Sequence, residues 1–103
     1  MLYDTRWDRT DEAASILLRA ADILERGGWQ QGQWIGPNGI CIGQALRYAI
    51  SQSTGHDSFG FAMFNRIVGR LEGHLGMFVV KWNDEICQSK EQAVAALRAA
   101  AHG

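Results

Sequence analysis

The chain has little of several things that would narrow its role quickly. It has two cysteines, Cys41 and Cys87, too few for a disulfide framework. It has a single proline, Pro37, so the rest of the chain is free of the strongest helix breaker. It has no excess of either charge: ten Lys and Arg against eleven Asp and Glu give a formal net charge of −1. A free-standing nucleic-acid binder needs a basic surplus to neutralise phosphates, so nucleic acid ranks low as a partner. Its apolar runs are too short to span a bilayer, and Met1-Leu-Tyr-Asp-Thr-Arg is too polar for a secretion signal. These absences predict a cytoplasmic protein with reduced thiols and no membrane partner.

What remains is a globular composition: 103 residues, 47% apolar and 20% charged. That length supports one compact core. Residues 1–9 show no period and are expected to form a flexible or loosely docked arm, with residues 10–103 as the single domain. Helical spacing begins at Asp11 behind a Thr10 cap. Ala13, Ile16, Leu17, Ala20, Ile23 and Leu24 form one stripe, with Arg19, Asp22 and Arg26 opposite. Gly27-Gly28 stops this helix.

A second helix is predicted over 41–53, with Ile42, Ala45, Leu46, Ala49 and Ile50 inward. A third covers 58–71, with Phe61, Phe64, Ile67, Val68 and Leu71 on one face. The last opens at Ser89, where Ser89-Lys90-Glu91-Gln92 matches a capping box. Its inner face is Ala93, Val94, Leu97, Ala100 and Ala101.

Two segments break the helical pattern. Gly36-Pro37-Asn38-Gly39 is a turn signal flanked by Ile35 and Ile40, which predicts a hairpin at about 29–41, or else an ordered loop. Met77-Phe-Val-Val-Lys-Trp82 is rich in β-branched and aromatic residues and predicts a strand over 77–82. The fold class is therefore α+β, with three to four helices on a small antiparallel sheet. Trp29, Trp34 and Trp82 are expected to gather around that sheet.

Candidate chemistry is thin. Cys41 at a helix start, His74 between Gly73 and Gly76, and Asp84 or Asn83 follow the order of a thiol hydrolase or transferase. Against this, free cysteine is commonly a small core residue. No metal is expected, because Cys41, Cys87, His56, His74 and His102 make no ligand-spaced pair. No cofactor is expected either, because the turn before Cys41 lacks the lysine and glycine pattern of a phosphate loop.

Binding has more support. On the third helix Phe59 falls beside Arg66 and Arg70, off the inward stripe, with Met63 between. An aromatic–methionine patch rimmed by arginine is typical of partner surfaces. Trp34 beside the Pro37 turn is a further interface candidate. The alternative is that helix one or the arm covers this patch, and self-association through it is a third option. The leading expectation is a non-enzymatic protein-interaction module, and the alternative is a cysteine-dependent enzyme using Cys41 and His74.

Four short motifs occur in a suggestive order: Ala20-Ala21-Asp22-Ile23-Leu24, Gly28-Trp29-Gln30-Gln31-Gly32, Cys41-Ile42-Gly43-Gln44-Ala45-Leu46, and Trp82-Asn83-Asp84. Together they resemble a family of small uncharacterised domains of actinobacteria and their phages, over most of residues 14–101. The chain departs from that pattern at Gln44, since the glycine stands one place earlier, at Gly43, and the segment before Cys41 is short. The resemblance implies no activity. It implies a phage or actinobacterial accessory protein, with Gly28, Trp29, Gly32, Cys41, Asn83 and Asp84 as family-type positions; the interaction-module expectation, taken with this setting, is of a protein that binds and modulates a host or defence protein. Each of these has a folding role available to it, such as turn glycines or Asn83-Asp84 satisfying backbone groups before the last helix.

Overall fold

The computed structural model describes residues 5–32, 35–54 and 61–102. Within them the order is α1 (Thr5–Gly27), β1 (Ile35–Gly36), β2 (Gly39–Ile40), α2 (Ile42–Thr54), α3 (Phe61–Leu75), α4 (Val79–Lys81), a π-helical turn (Trp82–Ile86) and α5 (Lys90–His102). The molecule is mostly helical, with one small antiparallel sheet.

The long α1 is the spine, and α5 and α2 lie along it. Ile16, Leu17, Ala20, Ala21 and Leu24 are buried there, Ala21 in addition to the stripe read from spacing. All five inward residues of α2 and all five of α5 are buried as their periodicity requires. The alanines of α5 leave short side chains between the helices, so α5 lies close against α1. Exposed pairs join the two helices at the rim, where Arg98 meets Glu25 at 3.0 Å and Asp22 at 3.5 Å.

The α1 helix begins at Thr5, six residues before the start read from apolar spacing. Residues 5–9, expected in a loose arm, are therefore helical. No glycine or proline occurs before Gly27, so nothing stops the helix from extending beyond its apolar stripe. It ends as expected. Gly28 takes φ +93° and its N–H donates to the Leu24 carbonyl at 2.8 Å. The α5 cap also forms, with Ser89 Oγ accepting from the Gln92 N–H at 3.1 Å. The Gln92 side chain reaches back to the Gln88 N–H at 2.6 Å, one residue before the cap.

The hairpin is present but minimal. Ile35 pairs with Ile40 and Gly36 with Gly39 across a Pro37-Asn38 turn. Its second strand docks on the chain leaving α1. Gln30 N–H donates to the Ile40 carbonyl at 3.0 Å, and Ile40 N–H to the Gly28 carbonyl at 3.2 Å. Those bonds occupy the second edge of β2.

The strand expected over 77–82 is absent, and α4 and the π turn stand in its place. A short β-prone run with no partner cannot satisfy its backbone as a strand. Here it does so locally, with Trp82 N–H donating to the Phe78 carbonyl at 2.9 Å and Cys87 N–H to the Trp82 carbonyl at 2.8 Å. Glu72 fixes where the helical turn begins, its Oε2 accepting from the Val79 N–H at 2.8 Å. No helix among the described residues is long and apolar enough to cross a membrane.

Candidate functional site

The π turn is the centre of the polar architecture. Its i→i+5 bond widens the helix, a distortion that often marks functional positions. Asn83 sits inside it at 2% exposure. Its Oδ1 accepts from Trp29 Nε1 at 2.8 Å and from the Ile42 N–H at 3.1 Å. Its Nδ2 donates to the Gln30 carbonyl at 3.4 Å and to Asp84 Oδ1 at 2.9 Å. Asp84 Oδ1 also accepts from the Gly32 N–H at 2.8 Å. One side-chain pair thus ties together the exit of α1, the start of α2 and the approach to α5. Asn83-Asp84 does satisfy free backbone groups, but these belong to residues 30, 32 and 42 rather than to the last helix.

Beside this clamp lies a cavity of about 300 Å³. Phe64, Val68, Val79 and Val80 wall it, and Cys41, Glu72, Asn83 and Asp84 also line it. Phe78 and Val80 stand next to it at 74% and 66% exposure, the two most exposed large apolar side chains among the described residues. Glu72, Lys81, Asp84 and Glu85 surround them in a shallow depression that continues from the cavity. Phe78, the extended residue before α4, and Val80 within α4 are thus open to solvent beside an apolar recess with carboxylates on its wall.

The sequence-derived candidates fall differently. Cys41 precedes α2 and caps it, its Sγ accepting from the Gln44 N–H at 3.4 Å. It is half-buried and shares the cavity wall with Asp84. His74 is exposed in the last turn of α3, outside that wall, and among the described residues it shares no hydrogen bond with Cys41. Cys41 and Asp84 are brought together, and His74 is not brought to them. No group of three or more His, Cys, Asp or Glu among the described residues is placed to hold a metal ion.

Of the expected interaction patch, Trp34 and Phe59 lie outside the described residues. Met63 is half-buried and packs on the core. Arg66 is exposed and pairs with Glu12 at 3.2 Å. Arg70 is engaged within the fold, its guanidinium donating to the Ala100 and Ala101 carbonyls at 3.0 and 2.8 Å. Those are the carbonyls left without partners at the end of α5, so Arg70 acts as a C-terminal cap. Of the three tryptophans expected together, Trp29 is hydrogen-bonded to the clamp and Trp82 packs half-buried on the core.

No sequence motif singles out Phe78, Val80 or Glu72. The β-branched and aromatic neighbours of Phe78 and Val80 suit a strand, which would bury one face of that run. The available signal was that the run had no partner of matching length.

The two thiols differ in kind. Cys87 is fully buried, and its burial raises the thiol pKa above the ordinary value of 9.0. In the native protein Cys41 should react with an aromatic disulfide reagent while Cys87 should not, and denaturant should release a second equivalent. The raised pKa keeps Cys87 protonated in the fold, so its contribution to stability holds below pH 9 and is lost as the pH climbs further. A urea midpoint that falls between pH 9 and pH 10 more than that of Cys87→Ala would show it.

Fold and site define a small, mostly helical domain locked by one buried asparagine beside an open apolar recess. Within that class the chain belongs to the Family of unknown function (DUF6197), whose model matches residues 8–103. This agrees with the resemblance carried by the ordered motifs. No match was found among curated proteins or among solved structures.

Proposed function

We propose that the chain is a non-enzymatic protein-interaction module that docks its partner on the α4 face. The observation that carries this is the exposure of Val80 on the wall of an apolar recess and of Phe78 in the shallow depression that adjoins it. Leaving adjacent large apolar side chains in water is unfavourable by roughly 25 cal/mol per Å², and a partner that covers them recovers it. Aromatic side chains set beside pockets also dominate binding energy at interfaces. The sequence resemblance implies a phage or actinobacterial accessory protein, and in this reading it acts in the cytoplasm on a host or defence factor.

The test is to pan a random-peptide display library against the immobilised chain and against Phe78→Glu. A surface change of this kind should move stability by less than about 0.5 kcal/mol. The expected outcome is a peptide set enriched by the wild type and lost with Phe78→Glu. A set enriched equally by both would remove the α4 face from consideration.

A further inference from the structure

The recess also specifies what kind of segment it takes. At about 300 Å³ it stands at the lower end of the range for drug-sized ligands, and suits one side chain better than a whole small molecule. Its apolar walls, Phe64 and Val68 from α3 and Val79 and Val80 from α4, call for an aliphatic or aromatic group. Its surroundings are acidic. Glu72 and Asp84 line the wall, and Glu85 stands at the adjoining depression with Lys81 as the cation there.

The two wall carboxylates are held in place by structural bonds that leave charge for a ligand. Glu72 uses Oε2 to cap α4, and Asp84 uses Oδ1 to accept from Gly32 and Asn83. In each case the second oxygen has no hydrogen bond among the described residues. The anchoring bonds fix the carboxylates beside the recess without neutralising them. A carboxylate next to a recess that a ligand dehydrates gains from a matching cation and opposes a second anion.

Resting on the reading of the α4 face as a docking site, we infer that the recess receives one apolar side chain of a partner protein, flanked in its chain by lysine or arginine that pairs with Glu72, Asp84 and Glu85. The anchor supplies the buried area. The flanking cations supply selectivity and a dependence on ionic strength.

The test is an NMR titration of the isotopically labelled full chain with three capped pentapeptides: Gly-Lys-Phe-Lys-Gly, Gly-Glu-Phe-Glu-Gly and Gly-Lys-Ala-Lys-Gly. The first is expected to shift the amides of Gly43, Val68, Val80 and Glu85. The second and third should bind at least about tenfold more weakly, a difference of about 1.4 kcal/mol. Glu72→Gln with Glu85→Gln should weaken the first peptide by a similar factor. Glutamine at 72 keeps an acceptor for the Val79 N–H, so the fold is preserved, and matching spectra of the free proteins verify this. The inference is overturned if the acidic peptide binds as well as the basic one, if the double variant binds unchanged, or if none of the peptides binds. It is equally overturned if the same amides shift with protein concentration alone, which would make a second copy the occupant. The panning experiment decides the α4 face independently. Peptides lost with Phe78→Glu but lacking basic residues would leave that face standing and the charge assignment refuted.

Discussion

Asn83→Ala should destabilise the protein by about 3 kcal/mol, against a typical total of about 5–15 kcal/mol for a domain. The side chain is 2% exposed, and removing it strands two donors at once. The Ile42 N–H at the start of α2 and the Trp29 indole N–H both lose their acceptor. Each buried group left unpaired costs about 1–3 kcal/mol, with the lower end applying where water can enter from the adjoining cavity. Urea unfolding followed by far-UV circular dichroism measures the change. A midpoint within 0.3 M of wild type, roughly 0.5 kcal/mol at the slope of a small domain, would show that the clamp is not holding the helices together. Asn83→Asp adds a directional control. It retains the acceptor bonds but sets a new carboxylate against that of Asp84. Its deficit relative to wild type should shrink as the pH falls from 7 to 5 and the new group takes up a proton.

The second large effect is expected at Gly39. Its φ of +143° belongs to a region that side-chain-bearing residues rarely adopt. A β-carbon there would also overlap the backbone of Gly28 and crowd the Trp29 nitrogen, while one on Gly28 would overlap the Asn38 carbonyl. The two glycines face each other across the bonds that dock β2 on the end of α1. Gly39→Ala therefore has to break backbone bonds as well as adopt a strained conformation. We expect a loss of about 3 kcal/mol. Hydrogen exchange at the Gln30 and Ile40 amides should rise together, since both bonds belong to this contact. Gly43→Ala is the contrasting case. A β-carbon there meets only the Cys41 sulfur at 3.8 Å, so it should be tolerated and slightly stabilising.

The parts of the fold that could be read in advance are those decided by neighbours in the chain. The inner faces of α2 and α5 follow from spacing alone, and both are buried throughout. The Ser89 cap and the Gly28 stop are likewise local. Residues 77–82 were misread because their β preference competes with the availability of a partner. A partner would lie far away in the chain, and the second edge of β2 is taken by Gly28 and Gln30. The clamp was legible as a motif, Trp82-Asn83-Asp84, but not as a function. The groups Asn83 satisfies lie 41 to 54 positions away, and no local pattern names them. The site shows the same limit. Cys41 and Asp84 share a wall, whereas His74, which the thiol chemistry would need beside Cys41, stands on the exposed end of α3. Phe78 and Val80 are exposed where α4 and the residue before it replace the expected strand.

The proposed docking site is the α4 face rather than the thiol beside it, and one comparison separates the two. Three proteins should be panned in parallel against the same peptide library: wild type, Phe78→Glu and Cys41→Ser. Serine is a favoured helix cap, so Cys41→Ser should keep the start of α2 intact. Enrichment that is kept with Cys41→Ser and lost with Phe78→Glu is the predicted result. Enrichment lost with Cys41→Ser and kept with Phe78→Glu would contradict the account and move the site to the sulfur.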